Sequence, residues 1–200
     1  MDTLVLASAN KGKLREFREL LVSCNLKVRP LSEFDLGEAE ETGLSFVENA
    51  LLKARHAAKA TGLPAIADDS GLEVDYLDGA PGIYSARFAG AKATDADNNR
   101  KLLEMLAGVP EAQRGARFQC LLVLMRHHLD PTPLICQGTW EGRIAEKPSG
   151  SHGFGYDPLF FIREQNCTAA ELPREVKNTL SHRARTMRLL LDTLAHRVKL

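Results

Sequence analysis

Apolar positions along the chain predict most of its elements. Leu4, Val5 and Leu6 form the apolar centre of residues 3–8, a candidate for a buried strand. Leu14, Phe17, Leu20 and Leu21 then recur at three- and four-residue spacing, one stripe of a helix. Residues 26–30 fit a second strand, and the polar, acidic stretch 31–43 reads as loop. Val47, Ala50, Leu51, Ala54 and Ala58 form a second stripe, so a helix is expected over 44–61, ended by Gly62. Pro64-Ala65-Ile66-Ala67 predicts a short buried strand that ends on Asp68-Asp69-Ser70-Gly71, with 72–75 as its hairpin partner. Residues 78–93 are glycine-rich and irregular, and 95–107 look helical. Two long β-prone runs, 116–128 and 133–147, are separated by Pro131 and Pro133, which predicts a long hairpin. Residues 159–162 are a further short strand, and Met187, Leu190, Leu191 and Leu194 mark a final helix. Strands linked both by helices and by hairpins predict an α/β fold with a mixed sheet.

The 200 residues suffice for one domain, or for one domain with two lobes, and 44% hydrophobic content supports a packed core. Acidic and basic residues balance at 26 each, so no global basic field points to nucleic acid or to a membrane surface. Any anion binding must come from local clusters. Cys24, Cys120, Cys136 and Cys167 lie far apart with no Cys-x-x-Cys pair, which argues against a zinc ribbon or a redox motif. Cys120 and Cys136 sit in apolar runs and read as core. The chain opens without a signal-peptide pattern and has no apolar run near the ~20 residues that span a bilayer. A soluble protein of the reduced cytoplasm is expected.

Polar clusters interrupt this pattern. Ser8-Ala9-Asn10-Lys11-Gly12-Lys13 joins a strand to a helix. Free N–H groups and the dipole at a helix start favour an anion, Lys11 and Lys13 add charge, and Gly12 permits close backbone approach. Capping by Ser8 or Asn10, with solvated lysines, is the ordinary alternative. The frame is not a P-loop: Ala7 stands at its first glycine and Leu14 at its metal-binding hydroxyl. A triphosphate here would need metal ligands from elsewhere. Asp68 and Asp69 are candidates, because adjacent carboxylates repel unless a cation, a proton or a strong donor lies between them. A plain turn is the alternative. A second acidic pair, Glu40-Glu41, precedes Thr42-Gly43, where Thr42 is a candidate cap for a helix carrying Glu48, Asn49 and Lys53. Magnesium takes oxygen ligands and keeps several waters, so Glu40 or Glu41 with Asp69 and phosphate oxygens would satisfy it.

Two further clusters lie in the second half. In Gly153-Phe154-Gly155-Tyr156-Asp157-Pro158, glycines alternate with aromatics that could stack on a base, and Asp157 could accept a hydrogen bond from it. A hairpin turn with packed aromatics is the alternative. Lys177 and Ser181-His182-Arg183 bring charged donors to the start of the last helix, a position where a plain surface helix start would also fit. His127-His128 reads as the end of a strand with no metal role.

The clusters occur in order as Ser8-x-Asn10-x-x-Lys13, Glu40-Glu41-Thr42-Gly43 with Glu48-Asn49-Ala50 and Lys53-Ala54, Ala67-Asp68-Asp69-Ser70-Gly71-Leu72, Ala80-Pro81-Gly82-Ile83-Tyr84-Ser85-Ala86-Arg87, Gly153-Phe154-Gly155-Tyr156-Asp157-Pro158 and Ser181-His182-Arg183. Together they make the chain resemble the inosine/xanthosine triphosphate pyrophosphatase family over nearly its whole length. The resemblance implies one domain over 1–200, a long mixed sheet flanked by helices in two lobes with a central active-site cleft, and a homodimer. It implies Mg2+-dependent hydrolysis of ITP, dITP and XTP to the monophosphate and pyrophosphate. Residue by residue, it implies that Ser8, Ala9, Asn10, Lys11, Gly12 and Lys13 hold the triphosphate and that Lys53 and Lys177 neutralise phosphate charge. Asp69 would bind magnesium and act as general base, with Glu40 or Glu41 as second ligand, Asp68 supporting the acidic site and Ser70 touching substrate. Phe154, Gly155, Tyr156, Asp157, His182 and Arg183 would form the base pocket. Two rivals remain at this stage: a pyrophosphatase for pyrimidine or modified triphosphates, and a nucleotide sensor without turnover.

Overall fold

The computed structural model describes residues 3–8, 10–21, 27–37 and 39–197; the side chains of Lys11, Leu20, Leu21, His196 and Arg197 are outside this description. Ala9 and Cys24, and the lysine and leucine side chains just named, therefore lie outside the described residues. The elements are β1 (Thr3–Leu6), α1 (Lys11–Leu21), β2 (Lys27–Pro30), α2 (Phe46–Thr61), β3 (Ala65–Val74) and α3 (Asp95–Met105). They continue as β4 (Gly115–Met125), β5 (Leu134–Ile144), β6 (Phe160–Ile162), β7 (Cys167–Thr168), α4 (Arg174–Leu180) and α5 (His182–Arg197). Among the described residues the strands form one sheet in the order β2-β1-β3-β4-β5-β6-β7. β1 is parallel to β2 and β3, whereas β6 is antiparallel to β5 and β7, so the sheet is mixed as expected.

Two compact units divide the chain: Met1–Asp69, Cys120–Gly138 and Arg183–Leu200 make the first, and Ser70–Gln119 and Thr139–His182 the second. In the first, strand alternation distributes side chains to two cores. Leu4, Leu6, Ile66, Cys120, Leu122 and Leu124 pack with Phe17 of α1 and Met187 and Leu190 of α5. Val5, Ala7, Ala65, Ala67, Leu121 and Val123 pack with Ala50, Ala54, Ala57 and Ala58 of α2. The alanine stripe predicted for that helix is thus its buried face. In the second unit, Leu72 and Val74 share one core with Leu102, Phe118, Trp140, Tyr156 and Phe160. Cys120 and Cys136 are buried free thiols, as their apolar surroundings predict.

Three local expectations are corrected. No hairpin follows Asp69, because β3 runs unbroken from Ala65 to Val74 and places both acids in mid-strand. Turn chemistry loses there because each acid finds a cationic partner and Leu72 and Val74 are fully buried. Second, Ser45 rather than Thr42 caps α2: its hydroxyl accepts from the N–H of Glu48, whose carboxylate accepts in return from the N–H of Leu44 at 2.9 Å. Third, the stretch 31–43 is not all loop, since Leu31–Phe34 winds into a 3-10 turn that buries Leu31. At the far end of α2, Gly62 closes the helix at φ 67° and donates to the carbonyl of Ala58, as expected.

Candidate active site

In the first unit, β1 delivers the chain to the start of α1, and Asn10 caps it. Its carbonyl accepts from the N–H of Leu14 at 2.9 Å and its side-chain oxygen from the N–H of Lys13 at 3.0 Å. Ser8 Oγ accepts from the N–H of Asn10 at 3.2 Å. The capping alternative thus holds for Asn10, and the remaining first-turn N–H groups give this end its positive character.

Asp68 and Asp69 take different nearest partners, yet charge acts across the pair: Lys13 acts on Asp69 and Asp68 on Lys53. Successive strand residues point to opposite faces, and the partners of the two acids lie on different helices. Asp68 shares the parity of Ile66 and meets α1 and α5: Lys13 Nζ stands 2.9 Å from its carboxylate and Arg183 Nε 3.5 Å. Arg183 in turn reaches Glu16 at 2.8 Å. Burial works against the charge of Arg183, but the carboxylates of Glu16 and Asp68 hold its pKa above the ordinary value. Asp69 shares the parity of Ala67 and meets α2: Lys53 Nζ lies 2.7 Å from its Oδ1, and Asn49 Nδ2 lies 3.5 Å from its Oδ2.

Lys53 bridges to a second carboxylate, Glu41, at 2.8 Å. Glu41 is therefore the member of the acidic pair joined to Asp69, while Glu40 is exposed. Gly43 permits this approach: its N–H donates to Asn49 Oδ1 at 2.8 Å, and a Cβ there would stand 2.5 Å from the Cβ of Glu48. Burial pushes the Asp69 carboxyl up, against the pull of Lys53 and Lys13. Burial also opposes the charge on Lys53, but Asp69 and Asp68 raise its pKa overall and keep it protonated. Among the described residues no three His, Cys, Asp or Glu side chains group as a metal site. Asp69 and Glu41 are hard oxygen donors already sharing one cation, a set that suits magnesium completed by water and phosphate oxygens.

In the second unit, Gly153 to Pro158 form a turn rather than a strand or helix. Asp157, 3% exposed, accepts from the N–H of Phe154 at 2.9 Å and from Lys177 Nζ at 2.6 Å. Lys177 also lies 5.2 Å from the centroid of the half-buried Phe154 ring. A Cβ on Gly153, at φ 79°, would collide with the Asp157 carboxylate, so glycine is required there. Tyr156 belongs to the core, and its hydroxyl donates to the carbonyl of Ser85 at 2.9 Å. Burial raises the pKa of that phenol above its ordinary value. The aromatic available to a base is therefore Phe154, and the packed-aromatic alternative holds for Tyr156. His182 stacks on Phe118 with ring centroids 4.8 Å apart. Ser70 is half-buried in β3.

The structure thus groups Lys13 with Asp68 and Arg183, Lys53 with Asp69 and Glu41, and Lys177 with Asp157 and Phe154. Arg183, expected at a base, is engaged by carboxylates. Sequence reasoning missed Glu16, whose signal was its three-residue helical spacing from Lys13. It also missed Phe118 and Trp140, which flank His182 through tertiary packing alone.

Comparison with known proteins gives consistent results. The model of the Ham1 family matches residues 4–193. A dITP/XTP pyrophosphatase from Vibrio vulnificus is 59% identical over 194 residues, covering 97% of each chain. One from Shigella flexneri is 58% identical over 194 residues, covering 97% of this chain and 98% of its own. The structure of a HAM1 protein from Coxiella burnetii superposes with a TM-score of 0.91 at 50% identity, covering 98% of this chain and 99% of that one.

Proposed function

The chain belongs to the Ham1 family, and on that footing we propose that it hydrolyses deaminated purine nucleoside triphosphates to the monophosphate and pyrophosphate. Its substrates in this reading are ITP, dITP and XTP, and its role is to remove them before they enter DNA or RNA. The relatives bearing the name dITP/XTP pyrophosphatase support the substrate class over nearly the full chain. The observation that carries the chemistry is the Asp69–Lys53–Glu41 cluster, in which one ammonium lies 2.7 and 2.8 Å from two carboxylates.

Asp69 and Glu41, with Glu40 as the alternative to Glu41, would hold the magnesium ion. When bound, that ion supplies charge neutralisation for the phosphate oxygens. Lys13, Lys53 and the N–H groups at the start of α1, from Ser8, Ala9, Asn10, Lys11 and Gly12 onward, bind the triphosphate. Asp69, whose pKa burial raises, accepts the proton of the water that attacks the α-phosphorus. Ser70 and Lys177 contact substrate, and Phe154, Gly155, Asp157 and His182 form the base pocket, with Tyr156 and Arg183 supporting it from their buried positions. Donors in that pocket favour the 6-oxygen of hypoxanthine and xanthine over the amino group of adenine, and a mismatched buried donor costs roughly 1–3 kcal/mol. The reading includes a homodimer in the cytoplasm. Its partners in this reading are a nucleotide and a second copy, with neither membrane nor nucleic acid; charge is balanced, and no described helix is long and apolar enough to cross a membrane.

Purified protein incubated with dITP, XTP, dGTP and dATP, with and without magnesium, tests this by anion-exchange chromatography of the products. Magnesium-dependent monophosphate and pyrophosphate from dITP and XTP, with slow turnover of the other two, is expected. Orthophosphate release, or intact nucleotides throughout, would overturn it.

A further inference from the structure

The turn from Gly153 to Pro158 lies outside the strands, and side chains from elsewhere add to its backbone bonds, such as the one from the Asp157 N–H to the Phe154 carbonyl at 3.3 Å. Asp157 fixes the N–H of Phe154, Lys177 fixes Asp157, and Ser85 takes the hydroxyl of Tyr156. The one residue between Phe154 and Tyr156 is Gly155, at φ 62°. Both of its backbone polar groups are taken by α3. Its N–H donates to Asp95 Oδ2 at 2.7 Å, and its carbonyl accepts from Asn99 Nδ2 at 2.8 Å. Asp95 and Asn99 are four residues apart and share one helix face.

We infer that Asp95 and Asn99 are positioning residues that clamp Gly155, set the placement of the Phe154 ring and thereby set purine selectivity. The inference rests on the function proposed above. α3 is a firm base for such a clamp. Thr94 and Asp97 form a reciprocal capping box at its start, Leu102 is fully buried, and Asn98 ties it to the carbonyl of Ala86 and the N–H of Ala89. Asn99 also leaves its Oδ1 buried without a partner among the described residues. An apolar residue would avoid that penalty, so helix packing does not account for an amide here, whereas the Gly155 carbonyl does. The left-handed conformation of Gly155 turns its two polar groups toward the same helix, and neither Asp95 nor Asn99 need touch the nucleotide to act.

Asn99→Leu, Asp95→Ala and Asp95→Asn test the clamp, with kcat and KM measured for dITP and dATP and dIMP binding measured by calorimetry. Asp95 is exposed, so its truncation leaves the core intact. Loss of one clamp bond in Asn99→Leu or Asp95→Ala is expected to raise KM for dITP and weaken dIMP about fivefold to tenfold, and to lower the dITP-to-dATP ratio of kcat/KM by a similar factor. Asp95→Asn keeps an acceptor for the Gly155 N–H and should stay within about twofold of the parent. A merely structural role would lower kcat for both substrates together, leaving KM, dIMP affinity and the ratio unchanged; that result, in an active parent enzyme, overturns the inference alone. A parent that hydrolyses none of the triphosphates overturns the proposed function, and the clamp's role in selectivity with it.

Discussion

Replacing Arg183 by leucine should unfold the first unit far more easily than its position near a helix end implies. Arg183 is 5% exposed, and its guanidinium spans Glu16 at 2.8 Å and Asp68 at 3.5 Å. Removing one member of a buried ion pair costs about 3–5 kcal/mol, because the partner's charge stays buried without compensation. Asp68 keeps Lys13 at 2.9 Å, so most of the loss falls on Glu16 and the lower end, about 3 kcal/mol, is expected. With a urea slope of about 2 kcal/mol per molar, the midpoint falls by about 1.5 M at unchanged slope. Glu16→Gln keeps an acceptor but loses the charge and should cost about 1 kcal/mol. The double variant Glu16→Leu with Arg183→Leu removes both charges and should be more stable than the sum of its parts, a coupling of at least about 1 kcal/mol. Urea unfolding followed by far-UV circular dichroism, without nucleotide or metal, measures all of these. An Arg183→Leu midpoint within about 0.5 M of the parent, or strict additivity in the cycle, would refute the network and return Arg183 to a role on the ligand alone.

Other substitutions separate chemistry from support. Asp69→Asn should lower turnover of dITP at least about a hundredfold, the lower bound for losing a general base, while circular dichroism and elution volume stay as in the parent; retained turnover would remove Asp69 from the chemistry. Gly153→Ala forces a side chain into the left-handed region and onto the Asp157 carboxylate, so a loss of about 1–3 kcal/mol is expected in thermal unfolding, and an unchanged midpoint would contradict the geometry of the turn. The hydroxyl and N–H of Thr94 hold the Asp97 carboxyl down at about 2. A depressed acid contributes stability above its unfolded value, near 3.8, and loses it as pH falls through the folded one. Asp97→Asn should therefore flatten the fall in stability between about pH 4 and pH 2, measured as the melting midpoint against pH; parallel curves for parent and variant would count against the capping box.

Much of the fold was legible because burial and periodicity coincide. The stripe of Ala50, Ala54 and Ala58 is buried against strands, and the apolar run 4–7 supplies side chains to cores on both faces of the sheet. The boundary at Asp68 was misread for a physical reason. Asp, Ser and Gly prefer turns when nothing else engages them, but here Lys13, Lys53 and Arg183, from three helices remote in sequence, supply the charge that keeps the strand going. Local propensity contains no record of such partners. The same limit applies to Tyr156, whose spacing in an aromatic–glycine turn gives no sign of the Ser85 carbonyl that its hydroxyl reaches. It applied again to the cap of α2, where Ser45 wins over Thr42 because only Ser45 lies three residues before Glu48 and completes a reciprocal pair.

The adjacency of Asp68 and Asp69 gives each acid its own nearest cation while leaving the pair within electrostatic reach of both Lys13 and Lys53. In a strand, neighbouring residues serve opposite faces, so two acids in sequence can anchor two different sets of cations without facing one another. On the Asp68 face, two carboxylates meet two cations: Glu16 and Asp68 with Lys13 and Arg183. On the Asp69 face, two carboxylates share the single ammonium of Lys53. Of these contacts, the second set has one cation for its two carboxylates and the first set has two. A divalent cation gains more from the second, where it relieves repulsion between Asp69 and Glu41, than from the first, where it would have to displace a lysine or a buried arginine. In the proposed reading the magnesium ion therefore sits with Asp69 and Glu41, and Asp68 supports that site through its contact with Lys13 at the start of α1.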